Sequence, residues 1–196
     1  MNNLLFFPNY NEVNFNNLKI DTIGEYSITR PPDAKQISEI IKAETNDSVI
    51  LDTTAGSGGN TISFANYFDT VISVESNFDR YCILKNNIHE YGFKNILTYY
   101  NDCLNIIERK YSKIIFIDPP WGGKSYTKQD KIDLLLSGFK IDMIIRYIFM
   151  EFPDNTIFIK IPVNFDYDQL EADVNIDNLK FKLFTINKFY LLKICF

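Results

Sequence analysis

A chain of 196 residues, 46% hydrophobic and 15% aromatic, is long enough to bury one sizeable core and too short for two ordinary domains. Its net charge of −5 excludes a protein that wraps long stretches of phosphate backbone, so any nucleic-acid contact should be small and local. No apolar run is long enough to cross a bilayer and Met1-Asn2-Asn3 lacks the basic start of a secretory signal, so a soluble intracellular protein with no membrane partner is expected.

The first residues, up to about 20, are rich in Asn with Phe6, Phe7, Tyr10 and Phe15 interspersed, and show no clean period. We read residues 1–30 as an N-terminal arm that contributes to the site, and 31–196 as the catalytic domain. After Pro31-Pro32, Ala34, Ile37, Ile40 and Ile41 recur at helical spacing behind Asp33 as a cap, which predicts a helix over 33–44. Residues 48–52 predict a buried strand, the segment after Gly59 a helix, 70–75 a second strand and 77–91 a helix closed by Gly92. Strands are predicted again over 95–100, 113–118 and 156–161, with a helix over 138–152 stopped by Pro153. Two apolar runs, 180–186 and 188–196, broken at Asn187, predict a terminal antiparallel hairpin. Strands alternating with helices mean an α/β fold with a mostly parallel sheet.

Cys82, Cys103 and Cys195 are isolated and odd in number, and the single histidine, His89, has no ligand companion. Neither a disulfide framework nor a metal site is expected.

The chemistry concentrates where strands end. Asp52-Thr53-Thr54-Ala55-Gly56-Ser57-Gly58-Gly59-Asn60-Thr61 follows the first strand and opens a helix, a place where glycines let the backbone turn and approach a ligand. Such a loop also fits dinucleotide enzymes, and by itself could be a tight turn. Glu75 closes the second strand, where a carboxylate can accept hydrogen bonds from both hydroxyls of a ribose. Asp102 follows the third, placed either to take an adenine amino group or to cap the next helix. The fourth ends in Asp118-Pro119-Pro120-Trp121-Gly122-Gly123. The prolines fix the backbone so that the Asp118 carboxylate and the Pro119 carbonyl can both accept hydrogens from one planar amine, while Trp121 offers a flat face to a base.

These residues resemble the trimethylguanosine synthase family, in which the glycine loop is followed by Asn-Thr and the proline pair by Trp-Gly-Gly. The likeness runs from about Leu18 to the C-terminus and includes Ser27-Ile28-Thr29, Asn86-Asn87, Tyr91-Gly92 and Asp102. It implies a class I methyltransferase fold, Rossmann-like and three-layered, with a mostly parallel seven-stranded sheet and a C-terminal antiparallel hairpin. It implies S-adenosyl-L-methionine as cofactor and 7-methylguanosine-capped RNA as partner, bound at the cap end only by a monomer. Carried over residue by residue, Asp52, Thr54, Gly56, Gly58, Asn60, Glu75, Asp102 and Asp118 would hold the cofactor. Ser27, Thr29, Asn87, Pro119 and Trp121 would contact the guanine, with Asp118, Pro119 and Trp121 as the catalytic set. Two departures stand out. Asp118 replaces the Ser of animal members, and Val163 stands where an Arg that meets cap phosphates is expected, which passes phosphate contact to Lys124, Lys128 or Lys160.

The leading reading is therefore a cap guanine-N2 methyltransferase. The alternatives are an exocyclic-amine methyltransferase acting on adenine or guanine in ribosomal RNA, transfer RNA or DNA, and a catalytically silent methyltransferase fold kept as a scaffold.

Overall fold

The computed structural model of the chain describes residues 5–10, 13–128 and 131–196. Its elements in chain order are α1 (Gly24–Ser27), α2 (Pro31–Glu44), β1 (Val49–Asp52), α3 (Gly59–Phe64), β2 (Thr70–Glu75), α4 (Phe78–Tyr91), β3 (Ile96–Tyr100), α5 (Cys103–Ile107) and β4 (Ile114–Ile117). A 3₁₀ turn (Gly123–Lys128) and the short pair β5 (Leu135–Leu136) and β6 (Phe139–Lys140) follow. The chain then runs through α6 (Ile141–Glu151), β7 (Thr156–Pro162), α7 (Tyr167–Val174), β8 (Lys180–Ile186) and β9 (Phe189–Cys195). Seven strands form one sheet in the order β3-β2-β1-β4-β7-β9-β8. The first five are parallel, and the hairpin β8–β9 inserts antiparallel with β9 against β7.

Period-two alternation along the central strands decides which side chain goes to which face. Leu51, Ile115, Ile117, Ile157 and Ile159 pack on one face against Ile144, Ile145 and Ile148 of α6 and Ile106 of α5. Ile50, Ile114, Phe116 and Phe158 pack on the other against Ile37 and Ile41 of α2 and Phe64 of α3. Each such buried side chain contributes roughly 1.5–3 kcal/mol relative to exposure. Helices on both faces of a sheet buried on both sides make the expected three-layer class I methyltransferase architecture.

The N-terminal segment is stitched to this body. Phe6, Phe7, Val13 and Leu18 are buried with Ile62 of α3 and Tyr91 of α4. Asn87 anchors it by accepting from the Lys19 N–H at 2.8 Å and donating to the carbonyls of Lys19 at 2.8 Å and Ser57 at 2.9 Å.

Several boundaries differ from those expected. Helix α2 begins two residues early, because Pro31 and Pro32 occupy its first turn, where no N–H is needed, and Arg30 rather than Asp33 is the N-cap residue. The helix expected over 138–152 begins at Ile141, since Ser137-Gly138 turns the β5–β6 hairpin with both residues at positive φ. Helix α7 and the 3₁₀ turn were not anticipated. Asn77 caps α4 by accepting from the Arg80 N–H, Gly92 ends it at φ 71°, and Asn187 turns the terminal hairpin at φ 48°. Among the described residues no helix is long and apolar enough to cross a membrane.

Candidate active site

A cavity of about 700 Å³ opens at the carboxyl ends of the parallel strands, astride the point where strand order reverses between β1 and β4. Open α/β sheets bind ligands at that point. Its wall is contributed by the glycine loop after β1, Glu75, Asn101-Asp102, Asp118 to Trp121, and residues 23 to 30 of the N-terminal segment.

One half of the wall is built from β1, β2 and β3. Gly56 and Gly58 adopt φ values of 56° and 101°, which side chains disfavour, and so turn the loop back over the sheet. The Gly56 N–H donates to Glu75 Oε2 at 3.0 Å and the Asn77 N–H to Oε1 at 2.8 Å. Glu75 is thereby pinned, yet each carboxylate oxygen retains lone-pair capacity for a further donor. Arg80 lies 3.8 Å from Oε1 and holds Asp21 of the N-terminal segment through two bonds of 3.2 and 3.1 Å. Asp102 accepts the Leu104 N–H and the Ser137 hydroxyl, both at 2.9 Å and both on Oδ1. It therefore caps α5, the second of the roles left open for it. Desolvation pushes the neighbouring Cys103 thiol up to about 11, so it is no nucleophile at neutral pH.

S-adenosylmethionine fits this half by the donors and acceptors present. The Asn60 Oδ1 and the Ser57 hydroxyl are buried without a hydrogen-bond partner among the described residues, and both residues are on the cavity wall. Buried polar atoms left open in this way mark groups that a ligand completes. An acceptor at Asn60 suits an ammonium, and the pinned Glu75 suits a pair of hydroxyls.

The other half is centred on Asp118. Its N–H donates to Thr54 Oγ1 at 2.7 Å, tying the end of β4 to the end of β1. Its Oδ2 accepts from Lys160 Nζ of β7 at 2.8 Å, with Thr29 Oγ1 at 3.4 Å. Lys160 Nζ also donates to Thr29 Oγ1 at 2.9 Å and lies 4.9 Å from the ring centres of both Trp121 and Phe189. Trp121 meets Tyr126 edge-on at 5.2 Å between centroids. Its indole N–H is buried without a partner among the described residues.

The structure brings most of the expected residues to one cavity: Ser27, Thr29, Thr54, Gly56, Asn60, Glu75, Asp102, Asp118, Pro119 and Trp121 all line it. Three expected contact residues stand behind the wall. Asp52 is fully buried, accepting from the Thr61 hydroxyl at 2.6 Å and the Thr54 N–H at 3.3 Å. Burial beside Asp118 and Glu75 outweighs these bonds and pushes its carboxyl up to about 7. Gly58 caps α3, where an added Cβ would lie 3.1 Å from Leu84. Asn87 is fully buried, with its amide spent on the N-terminal segment and the glycine loop. All three shape the loop and do not face the cavity.

Thr29 is on the wall but its hydroxyl is saturated, accepting from Asn60 Nδ2 at 3.0 Å and from Lys160 and donating toward Asp118. It joins those three groups and has no bond left for a base. Lys160, one of three lysines considered for phosphate contact, turns inward and is 5% exposed, so it cannot serve there. Its signal was in the sequence: one charge in the strand Ile157-Phe158-Ile159-Lys160-Ile161, otherwise apolar. Arg80 was missed for the opposite reason, an arginine on a helix surface being ordinary.

A family model described as RNA cap guanine-N2 methyltransferase matches residues 47–192. A trimethylguanosine synthase of Schizosaccharomyces pombe is 29% identical over 167 residues, covering 81% of this chain and 69% of that protein. A trimethylguanosine synthase of Saccharomyces cerevisiae is 32% identical over 155 residues, covering 74% of this chain and 48% of that protein. Among solved structures, a precorrin-6y C5,15-methyltransferase of Geobacter metallireducens superposes with a TM-score of 0.62 at 14% identity, covering 91% of this chain and 94% of that one, a likeness of fold alone. With a family model matched over most of its length, the chain belongs to the RNA cap guanine-N2 methyltransferase family, as an S-adenosylmethionine-dependent enzyme.

Proposed function

We propose that the chain transfers methyl to the exocyclic N2 amine of a 7-methylguanosine cap, hypermethylating the capped end of an RNA. The observation that carries this reading is the placement of Asp118, Pro119 and Trp121 in the same cavity as Glu75 and the glycine loop. An amine held at Asp118 then lies within one cavity of the donor's half. The trimethylguanosine synthase relatives point to the same reaction.

The mechanism is one of proximity and orientation. Among the described residues both hydrogen bonds to the Asp118 carboxylate fall on Oδ2, which leaves Oδ1 to accept one N–H of the amine while the Pro119 carbonyl accepts the other. Holding both N–H bonds in one plane aims the nitrogen lone pair out of it. Held in the other half by Glu75, the glycine loop and Asn60, S-adenosylmethionine would supply an electrophilic methyl on a positive sulfonium, with the neutral thioether as leaving group. The amine nitrogen forms the new N–C bond, and its surplus proton leaves to Asp118 or to water. Lys160 already sits against one face of Trp121, so the base stacks on the other. A guanine methylated at its seven-position is a cation, and its attraction to indole adds to ordinary stacking.

The end of the N-terminal segment, residues 23–30, takes part in this site through Ser27 and its neighbours on the cavity wall. With Val163 exposed, Lys160 turned inward and the Lys124 side chain outside the described ones, the exposed Lys128 on the 3₁₀ turn is the lysine whose described position suits cap phosphates.

Purified protein incubated with labelled donor and a 7-methylguanosine cap analogue, an unmethylated cap or uncapped RNA tests the reading. Transfer to the first alone supports it. Transfer to uncapped RNA moves the chain to an internal-base methyltransferase, and no transfer to any acceptor rejects the cap reaction.

A further inference from the structure

Lys160 is an ammonium in the middle of a strand whose residues 157 to 162 are all buried. Packing alone asks for an aliphatic residue there, as at Phe158 on the same face, and burying an ammonium is unfavourable unless it is closely paired. The protein pairs it completely: Asp118 Oδ2 at 2.8 Å, Thr29 Oγ1 at 2.9 Å, and the rings of Trp121 and Phe189 at 4.9 Å each. Every one of these partners except Phe189 was singled out as a catalytic or substrate residue, and Phe189 lines the same cavity.

We propose that Lys160 is a positioning residue for methyl transfer: by binding Oδ2 of Asp118 it keeps that carboxylate ionised and rotated so that Oδ1 receives the substrate amine. The inference rests on the amine-methylating reading of the site. An ionised carboxylate only accepts hydrogen bonds, as an amine's N–H requires, whereas a protonated one presents an O–H that competes for the nitrogen lone pair.

The surroundings make the ammonium necessary. From β1, the fully buried Asp52 carboxyl is near enough for the Asp118 charge to raise its proton affinity. From β2, Glu75 is a third carboxylate, itself near Arg80 of α4, whose other partner is Asp21. From the N-terminal segment, Arg30 is directed outward to the carbonyls of Leu5 and Glu25 and to the Phe6 ring. Asp33 and Tyr26 on that side, Tyr126 on the 3₁₀ turn, and Asp102 and Cys103 beyond β3 bring no positive charge. Among the described side chains Lys160 is thus the cation that touches Asp118. Without it, the half-buried Asp118, coupled to the Asp52 carboxyl, loses the cation against it that favours its charged form.

The test is Lys160→Met, with Lys160→Arg and Lys160→Gln beside it. Carbon-13 labelling of aspartate carboxyls, with Asp118→Asn identifying the Asp118 resonance, reads ionisation in the protein without substrate. The wild type and Lys160→Arg should show Asp118 ionised from pH 6 to 9, and Lys160→Met should show it titrating within that range. Transfer to the cap analogue by Lys160→Met should fall about ten-fold or more at pH 7 and recover toward pH 9, one decade per pH unit of displaced titration. Lys160→Gln keeps a hydrogen-bond donor but not the charge, and should behave as Lys160→Met does, which serves if the Met variant does not fold. An Asp118 resonance and a rate profile unchanged in either neutral variant would overturn the proposal. The carboxylate titration needs no acceptor, so a protein that failed to methylate caps would still decide whether Lys160 sets the state of Asp118.

Discussion

The backbone N–H of Gly56 donates to Oε2 of Glu75 at 3.0 Å, so the loop after β1 is locked onto the acid that ends β2. The same carboxylate therefore shapes the glycine loop and keeps lone pairs free on the cavity wall. Charge-assisted bonds of this kind contribute about 1.5–3 kcal/mol. Glu75→Ala should weaken S-adenosylmethionine binding ten-fold or more in titration calorimetry, and Glu75→Gln, which keeps an acceptor for Gly56, should lose less. Unchanged affinity in a folded Ala variant removes Glu75 from the site.

Asp118→Ala should retain cap affinity and lose most of its turnover, since in the proposed reaction the residue acts on the amine whose bonding changes. Stability should fall as well, because Lys160 is left buried without its counter-charge; breaking a buried pair costs about 3–5 kcal/mol. The double variant Asp118→Ser with Lys160→Met removes both charges and should regain much of that loss in urea denaturation. A single variant as stable as the wild type would show the pair to be energetically idle.

Trp121 packs against both faces of the core as well as lining the cavity, so Trp121→Ala should lower both melting temperature and cap binding. Base stacking is worth about 1–3 kcal/mol and a desolvated cation–π contact up to about 2. Affinity for a 7-methylguanosine cap should therefore drop at least ten-fold, and Trp121→Phe should keep part of it. Preference of the wild type for the methylated over the unmethylated cap is the deciding measurement; equal affinity would leave Trp121 a packing residue.

Asp52 gives stability a pH dependence opposite in sign to that of a salt-bridged carboxylate. Its proton is held up to about pH 7 in the folded protein and only to about 3.8 in the unfolded chain, so between those values the folded state carries more protons. Stability must then fall as pH rises through that window. Asp52→Asn should flatten the slope of melting temperature between pH 4 and 7 by several degrees, at about 2–4 °C per kcal/mol for a domain of this size. An undiminished slope would assign it to other groups.

The strand–helix alternation, the glycine loop, Glu75 and Asp118 to Trp121 were legible in the sequence because each depends on local rules: period two in a buried strand, glycine where φ turns positive, proline where the backbone must be fixed. The parallel sheet and its strand-end site followed from those rules. What only the tertiary structure decided concerns which groups meet across the sheet. Asn87 and Thr29 looked available to a base until packing showed the amide of one and the hydroxyl of the other fully used. Gly24, where an added Cβ would lie 2.7 Å from Ser57 Oγ, holds the N-terminal segment against the glycine loop, though no local pattern marks it. Lys160 stands 42 residues beyond Asp118, and the two meet because β4 and β7 are hydrogen-bonded neighbours. A side chain's neighbours along the chain fix its backbone, but its charge state and its partner are set by elements that folding brings beside it.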